Sequence, residues 1–305
     1  MTIKTNNPGI FQTLITQLDK IFRHNRQGSF RTKKRYYEAM RRFCRFLADH
    51  YHLQKLANIS GKHLVAYVLY IQAQGKSAST IKTELAAIRF FHDKMERTKY
   101  SLPSNDELAV ELERRRFGGV DRTWSVREFN LFLAACMADG HEDFAAIACL
   151  TWYAGLRIHE CFRIDTATAE QALRENAITI KGKGGKVRTV PINKSIRIEL
   201  KKMLAVTERG HKLFVADNEL THTAIGRLQQ YIYKVRPQIQ DEGSTRPMTH
   251  HGLRHSFAAR TYQELIDSGI SPLNASLRVS QLLGHERPDV TNVYLTSVKD
   301  GADGK

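Results

Sequence analysis

The sequence predicts a mainly α-helical protein with one small antiparallel β-sheet, and three observations support this fold class. Apolar residues recur at steps of three and four through most of the chain, the spacing of helices with one buried face. Two short β-rich runs flank a glycine-rich GKGG stretch, which is typical of a hairpin. A polar connector around Pro103 and the Gly118–Gly119 pair predicts a helical domain over 1–118 and a mixed α/β domain over 119–305.

Three amphipathic segments define the first domain. FRTKKRYYEAMRRFCRFLADHY is followed by ISGKHLVAYVLYIQAQG, with Ser60 as its N-cap and Gly75 as its stop, and then by SASTIKTELAAIRFFHDKM. The apolar stripes of the first and third segments consist of Tyr36, Met40, Phe43 and Leu47, and of Ile81, Leu85 and Ile88. Each stripe predicts a helix that packs one face into a core.

The charge of the chain indicates a polyanionic partner, and nucleic acid is the commonest polyanion in a cell. The formal net charge is +16, and residues 1–118 carry 22 Lys/Arg against 10 Asp/Glu, whereas residues 119–305 carry 25 against 21. We therefore expect the first domain to be the main electrostatic clamp, although a solvated helical surface is the simpler alternative. The DNA-contact candidates on its first and third segments are Arg31, Lys33, Lys34, Arg41, Arg42 and Arg45, and Ser77, Thr80 and Lys82.

The second domain begins with a capping-box signature, Ser125 to Glu128, and a helical stretch over 125–153. LRIHECFRI predicts a short helix after Gly155. Ala177–Lys181 and Val187–Ile192 predict the two strands of the hairpin around GKGG. Helices are expected again in SIRIELKKML, TAIGRLQQYIY, the stretch after Thr249, and LNASLRVSQLL.

Several protein classes are disfavoured by the composition. No window offers the roughly 18 unbroken apolar residues of a membrane span, and MTIKTNNPGI has no apolar secretory region. The four cysteines form no Cys-x-x-Cys pair, which predicts buried free thiols in a reducing compartment. We expect a cytoplasmic, nucleoid-associated protein of bacterial type.

GKGGK invites comparison with a phosphate-binding P-loop. A P-loop needs four residues between its glycines and a Lys-Ser/Thr pair that opens a helix, whereas here a strand follows. Two interpretations remain: a glycine-rich hairpin turn without further role, or a turn that holds Lys183 over a nucleic-acid backbone.

MTHHGLRHSF places three imidazoles and a guanidinium within six residues. His251 and His255 have the i,i+4 spacing of two metal ligands, but no nearby carboxylate or thiolate supplies a third at a known spacing. Thr249 is a suitable N-cap, so His251 and Arg254 would lie near a helix N-terminus, where an anion is favoured. We expect a phosphate site, with His250 and His255 as packing neighbours and with neither metal nor cofactor.

Near the C-terminus, VSQLLGHERPDVTNVYL predicts a helix that ends at Gly284, followed by His285 and by a new helix from Pro288. Tyr294 lies nine residues after His285. A single tyrosine on such a helix more often packs than reacts, so this residue alone would not indicate chemistry.

Taken together, YAGLRIHEC, GKGGKVRTVPI, HHGLRH and LLGH with its later tyrosine resemble the tyrosine recombinase (phage-type integrase) family. The likeness runs in the same order along nearly the whole chain, and the basic helical domain resembles the family's core-binding domain. The resemblance implies a mixed α/β catalytic domain, double-stranded DNA as partner, and a homotetramer assembled on two DNA sites. It also implies cleavage and rejoining of DNA strands through a 3′-phosphotyrosyl intermediate, without metal or ATP.

The same resemblance implies the site residues. The family's catalytic set would fall on Arg157, Lys183, His251, Arg254, His285 and Tyr294, with Glu160 holding Arg157. Two guanidiniums can stabilise a charged phosphorane, a histidine can help to deprotonate the tyrosine, and a lysine can protonate the 5′-oxygen that leaves.

Two alternatives remain beside a site-specific recombinase that integrates or excises a mobile element or resolves dimers. A type IB topoisomerase shares the chemistry but relaxes supercoils without a specific site. A non-catalytic DNA-binding protein with a decayed site would bind and never form a covalent adduct.

Overall fold

The computed structural model of the chain describes residues 5–24, 30–114, 120–182, 185 and 187–284, without the side chains of Phe30 and Arg31. Within these residues the protein is mostly helical, with twelve α-helices and one two-stranded antiparallel sheet, so the predicted fold class is confirmed. Packing divides the chain into two compact units, Met1–Arg116 and Phe117–Lys305. No helix among the described residues is long and apolar enough to cross a membrane.

The first unit is a helical bundle around a single apolar core. In chain order its described elements are α1 (Pro8–His24), α2 (Phe30–Tyr51), a 3₁₀ helix (Leu56–Asn58), α3 (Gly61–Ala73) and α4 (Ala78–His92). Ser60 and Ser77 cap α3 and α4, and Gly75 follows α3 with a left-handed φ of 68°. The predicted stripes of α2 and α4 lie in this core, and Tyr36 packs against its edge.

The second unit is mostly helical, and its hairpin buries one face and exposes the other. Its described elements are α5 (Val126–Ala138), α6 (Glu142–Ala154), α7 (Ile158–Cys161), α8 (Thr166–Glu175), β1 (Ala177–Lys181), β2 (Val187–Pro191), α9 (Lys194–Val206), α10 (Thr221–Ile239), α11 (His250–Asp267) and α12 (Pro272–Leu283). The strands pair with Thr179 opposite Thr189. The predicted hairpin is confirmed, with β2 one residue shorter than expected. The capping box of Ser125 with Glu128 is confirmed as well.

The helical stretch predicted over 125–153 is confirmed, with one break. It forms two helices, α5 and α6. The break falls at Gly140, which has a φ of 72°, and the next amide, that of His141, donates back to the carbonyl of Cys136 at 2.8 Å. Glycine adopts this left-handed backbone without the steric cost that other residues meet, so it ends α5.

The four cysteines are buried free thiols, as the sequence predicts. Burial raises the pKa of Cys136, Cys149 and Cys161 to about 12. A thiol with so high a pKa carries almost no thiolate near neutral pH and is a poor nucleophile.

Candidate active site

Three of the predicted catalytic residues line one cavity of the second unit. Arg157, His251 and Arg254 come from segments almost 100 residues apart and border a volume of about 400 Å³. The same cavity is bordered by His159, Gln229 and Arg236, which the sequence did not single out.

Arg157 is positioned by the end of α6 and the start of α7. α6 ends at Gly155, whose φ is 62°, and a Cβ on this glycine would lie 2.5 Å from a ring carbon of Phe257 on α11. Only a glycine therefore allows the chain to pass so close to α11 here. Arg157 then occupies the N-cap position of α7, with its side chain 26% exposed.

Glu160, which the resemblance assigns to Arg157, contacts that arginine directly. The carboxylate accepts from the Arg157 main-chain amide at 2.7 Å and from its Nη1 at 2.9 Å. Its side chain has no exposed surface. Burial opposes its ionisation, but hydrogen bonds and the charges of Arg188 and Arg157 outweigh burial and lower the pKa of Glu160 to about 2.

Arg188 is a second arginine on the same carboxylate. Its Nη1 and Nη2 donate to the two oxygens of Glu160 at 2.9 and 2.7 Å. In the sequence this residue is recognisable only as part of a strand. The signal that could have revealed it is an arginine on the same side of β2 as the buried Val190, where a cation needs an acidic partner.

The first turns of α11 carry the histidine cluster. Thr249 is at the N-cap position, as expected, although among the described residues its side chain makes no capping hydrogen bond. Its carbonyl accepts instead from Trp124 Nε1 at 3.0 Å. His250 and His255 are buried, and His250 Nε2 lies 3.1 Å from Thr151 Oγ1, which fits their predicted role as packing neighbours.

His251 is exposed at the cavity wall and is neutral near pH 7. Loss of hydration and the positive charges of Arg254, Arg122 and Arg157 lower the pKa of His251 to about 4. A neutral imidazole can accept a proton, which an imidazolium cannot.

Arg254 is fully buried at the inner wall of the cavity. Its Nη1 donates to the carbonyl of Gly155, just before Arg157, and its Nη2 donates to the carbonyl of Leu283 at 2.6 Å. The guanidinium therefore contacts both the chain before Arg157 and the end of α12.

Three predicted catalytic residues, Lys183, His285 and Tyr294, lie outside the described residues. The flanking structure is described: β1 and β2 bracket Lys183 in the sequence, and α12 ends at Gly284, immediately before His285. Gly284 has a φ of 66°, as expected for a glycine that ends a helix.

The described residues include no group of three or more His, Cys, Asp or Glu side chains arranged to hold a metal ion. His251 and His255 face each other edge to face, with ring centroids 5.1 Å apart.

The DNA-contact candidates of the first unit fall into two groups. On α2, Lys34 and Arg42 are exposed, Lys33, Arg41 and Arg45 are half-buried, and the side chain of Arg31 is not described. On α4, Ser77 and Lys82 border a cavity of about 330 Å³, and Ser77 Oγ lies 3.0 Å from Thr80 Oγ1.

Arg42 has a structural partner that the sequence did not indicate. Its Nε donates to the buried carboxylate of Glu84 at 3.0 Å, and Tyr67 donates to the other oxygen of the same carboxylate at 2.8 Å. Arg42 therefore joins α2 to α4, in addition to any contact that it makes with DNA.

Comparison with known families gives matches along most of the chain. Residues 126–300 match the phage integrase family, and residues 15–99 match the phage integrase N-terminal SAM-like domain. The tyrosine recombinase XerD of Halalkalibacterium halodurans is 24% identical over 272 residues, with 86% of each chain covered. XerD of Listeria monocytogenes is 26% identical over 275 residues, covering 87% of this chain and 88% of that protein.

Solved structures with the same fold include two complexes with DNA. A lambda integrase fragment (75–356), a dimer bound to a COC′ core site, has a TM-score of 0.64 at 17% identity and covers 93% of this chain and 94% of that one. The XerH site-specific recombinase bound to a palindromic difH substrate has a TM-score of 0.63 at 18% identity. The match covers 100% of this chain and 90% of that one.

Proposed function

The chain belongs to the phage integrase family and is a site-specific tyrosine recombinase, and on this basis we propose how its own residues cleave and rejoin DNA. Residues 119–305 would form the catalytic domain, and residues 1–118 would form a core-binding clamp on double-stranded DNA. Tyr294 Oη attacks the scissile phosphorus, a 3′-phosphotyrosyl bond forms, and the 5′-oxygen leaves. A 5′-hydroxyl of the exchanged strand then reverses this step, so the phosphodiester energy is kept and no ATP is needed.

The observation that carries this proposal is the convergence of Arg157, His251 and Arg254 on one cavity. The pentavalent phosphorane gains negative charge on its non-bridging oxygens, and guanidiniums stabilise that charge best where water is excluded. Arg254 is buried, so its charge acts through a medium that screens it less than water does.

Proton transfer is assigned to His251 and Lys183. The tyrosine hydroxyl has an ordinary pKa near 10, so its attack at neutral pH requires an acceptor for its proton. His251 borders the cavity and carries a ring nitrogen that can accept this proton. We assign protonation of the leaving 5′-oxygen to Lys183 and a further hydrogen bond to the phosphate to His285.

Strand exchange between two duplexes needs four such sites, and we propose a homotetramer assembled on two DNA sites in a bacterial-type cytoplasm, at the nucleoid. Integration or excision of a mobile element and resolution of DNA dimers use the same steps.

The test is covalent trapping on DNA duplexes that carry a nick next to the sequence tested as the recombination site, in buffer with EDTA. The proposal predicts a covalent protein–DNA adduct that protease removes. The adduct accumulates because the short fragment released at the nick diffuses away, so the strand cannot be rejoined. A protein that binds the duplex and forms no adduct would be a non-catalytic binder. Relaxation of supercoiled plasmids that lack the site would identify a topoisomerase, and loss of the adduct in EDTA would contradict the metal-free scheme.

A further inference from the structure

Arg188 is an arginine of β2 whose side chain points into the second unit. Its side chain is only 11% exposed, and it lies on the same side of the strand as the buried Val190. The two Nη groups contact the two oxygens of Glu160 in a forked arrangement, at 2.9 and 2.7 Å. A forked contact fixes the plane of a carboxylate as well as its position.

The carboxylate that Arg188 fixes is the one that holds Arg157. Glu160 Oε1 accepts from Nη1 of both arginines, each at 2.9 Å. The buried carboxylate thus lies between Arg188, which is nearly enclosed, and Arg157, which borders the cavity. Any rotation of Glu160 would move the guanidinium of Arg157 with it.

Arg188 makes a third contact, with the end of α12. Its Nε donates to the carbonyl of Leu282 at 3.0 Å, one of the last carbonyls of that helix, where the helix dipole favours a cation. Gly284 makes room for the arginine, because a Cβ there would lie 3.0 Å from Arg188 Cδ and 3.2 Å from Nη1. The residue after Gly284 is His285.

We propose that Arg188 is a positioning residue for strand cleavage, which orients Arg157 through Glu160 and fixes the end of α12, just before His285 in the sequence, to β2. This inference rests on the proposed function, since it assigns Arg188 a role only in the cleavage step. Lysine cannot replace it, because an ammonium offers its donors from one atom and cannot reach Leu282 and both carboxylate oxygens at once.

The test compares single-turnover cleavage of a nicked duplex by wild type, Arg188→Lys, Arg157→Ala and the double variant, at saturating protein. We expect Arg188→Lys to bind DNA like wild type and to cleave roughly 100-fold more slowly, the loss that accompanies a misplacement of about 1 Å. The double variant should be slower than Arg157→Ala by much less than about 100-fold, because the part of the effect that passes through Arg157 is already lost. The matched control is Arg197→Lys, which alters a half-buried arginine that donates to the carbonyl of Leu173 at 2.9 Å, away from Glu160.

Wild-type cleavage by Arg188→Lys would overturn the proposal, as would a double variant whose rate reduction is the product of the two single reductions. If Arg188→Lys does not fold in a melting assay, Arg188→Gln replaces it in the same cycle, since the shorter amide keeps a donor near Glu160 and loses the forked contact. Failure of the proposed function has a different signature, because then wild type itself forms no adduct.

Discussion

Arg157 combines two roles at the residue scale: it faces the cavity and it is held by a buried carboxylate. We predict that Arg157→Ala binds DNA normally and cleaves about 100- to 1,000-fold more slowly, the usual loss when one donor to a developing charge is removed. Gel shifts and single-turnover cleavage measure the two quantities. If Arg157→Ala cleaved at the wild-type rate, Arg157 would have no part in catalysis.

The buried histidines make the second unit sensitive to acid. Burial lowers the pKa of His250 and His255 to about 3, whereas in the unfolded chain each has a pKa near 6.5. The unfolded state therefore binds more protons below pH 6.5, and stability must fall as the pH is lowered from 6.5. Each such histidine contributes a slope approaching 1.4 kcal/mol per pH unit.

His255→Gln should weaken this dependence. Between pH 6.5 and pH 5 the variant should lose roughly 1.5 kcal/mol less of its unfolding free energy than wild type. Urea unfolding followed by tryptophan fluorescence measures the unfolding free energy of the second unit, because both tryptophans, Trp124 and Trp152, belong to that unit. Equal losses in the two proteins would show that His255 does not stay neutral in the folded state.

At the element scale, α11 is held by a close contact at its N-terminus. A Cβ on Gly252 would lie 2.3 Å from the carbonyl oxygen of Arg122 and 2.7 Å from two atoms of the Trp124 ring. Ser256 secures the same segment, because its Oγ accepts from the Trp124 amide at 2.7 Å and donates to the Trp124 carbonyl at 3.1 Å. This contact fixes the turn that carries His251 and Arg254.

Gly252→Ala should therefore destabilise the second unit by about 1–3 kcal/mol, as overpacking commonly does. The matched control is Gly226→Ala in α10, where a Cβ meets nothing within 4 Å among the described residues. The control should be neutral or stabilise by up to about 1 kcal/mol, because alanine favours the helix. If the two variants unfold alike, the close approach at Gly252 is not a constraint.

Local patterns predicted most elements but not the contacts between them. The stripes of α2 and α4, the caps at Ser60 and Ser125 and the hairpin are encoded by neighbouring residues. α1 and α8 were not predicted, although for α8 Asp165 supplies the N-cap signal by accepting from the Thr168 amide at 2.8 Å.

The side-chain pairs at the candidate active site, in contrast, could not be predicted from local sequence. Glu160 and Arg188 are 28 residues apart, and no periodicity indicates which acid an inward-facing arginine meets. The same holds for Arg42 with Glu84, which a surface interpretation of α2 could not reveal. Motif resemblance selected Arg157, His251 and Arg254, but their common cavity depends on how α6, α7, α10 and α11 pack.

For the whole molecule, the skewed charge predicts that the first unit supplies most of the salt-dependent DNA affinity. Arg42 is unsuitable for testing this, because removing it would leave the buried Glu84 without its cation and would change stability as well as binding. We instead choose Lys34, Arg41 and Arg45 for replacement by alanine. For each phosphate that the variant no longer binds, the slope of log K against log salt should fall by about 0.9.

The control removes three positive charges from the second unit by replacing Lys201, Lys202 and Lys234, all exposed on α9 and α10. Its slope should stay close to that of wild type. Equal slopes for the two triple variants would mean that net charge, and not a clamp on α2, governs binding.

The most direct test of the whole account is the identity of the nucleophile. Tyr294→Phe removes one oxygen atom and keeps the ring, so DNA binding and folding should change little. The wild-type protein should form a covalent complex on a nicked substrate, and tryptic mapping should recover the nucleotide on the peptide that contains Tyr294. The phenylalanine variant should bind the same DNA and form no complex. A nucleotide on any other residue, or undiminished adduct from the variant, would contradict the mechanism.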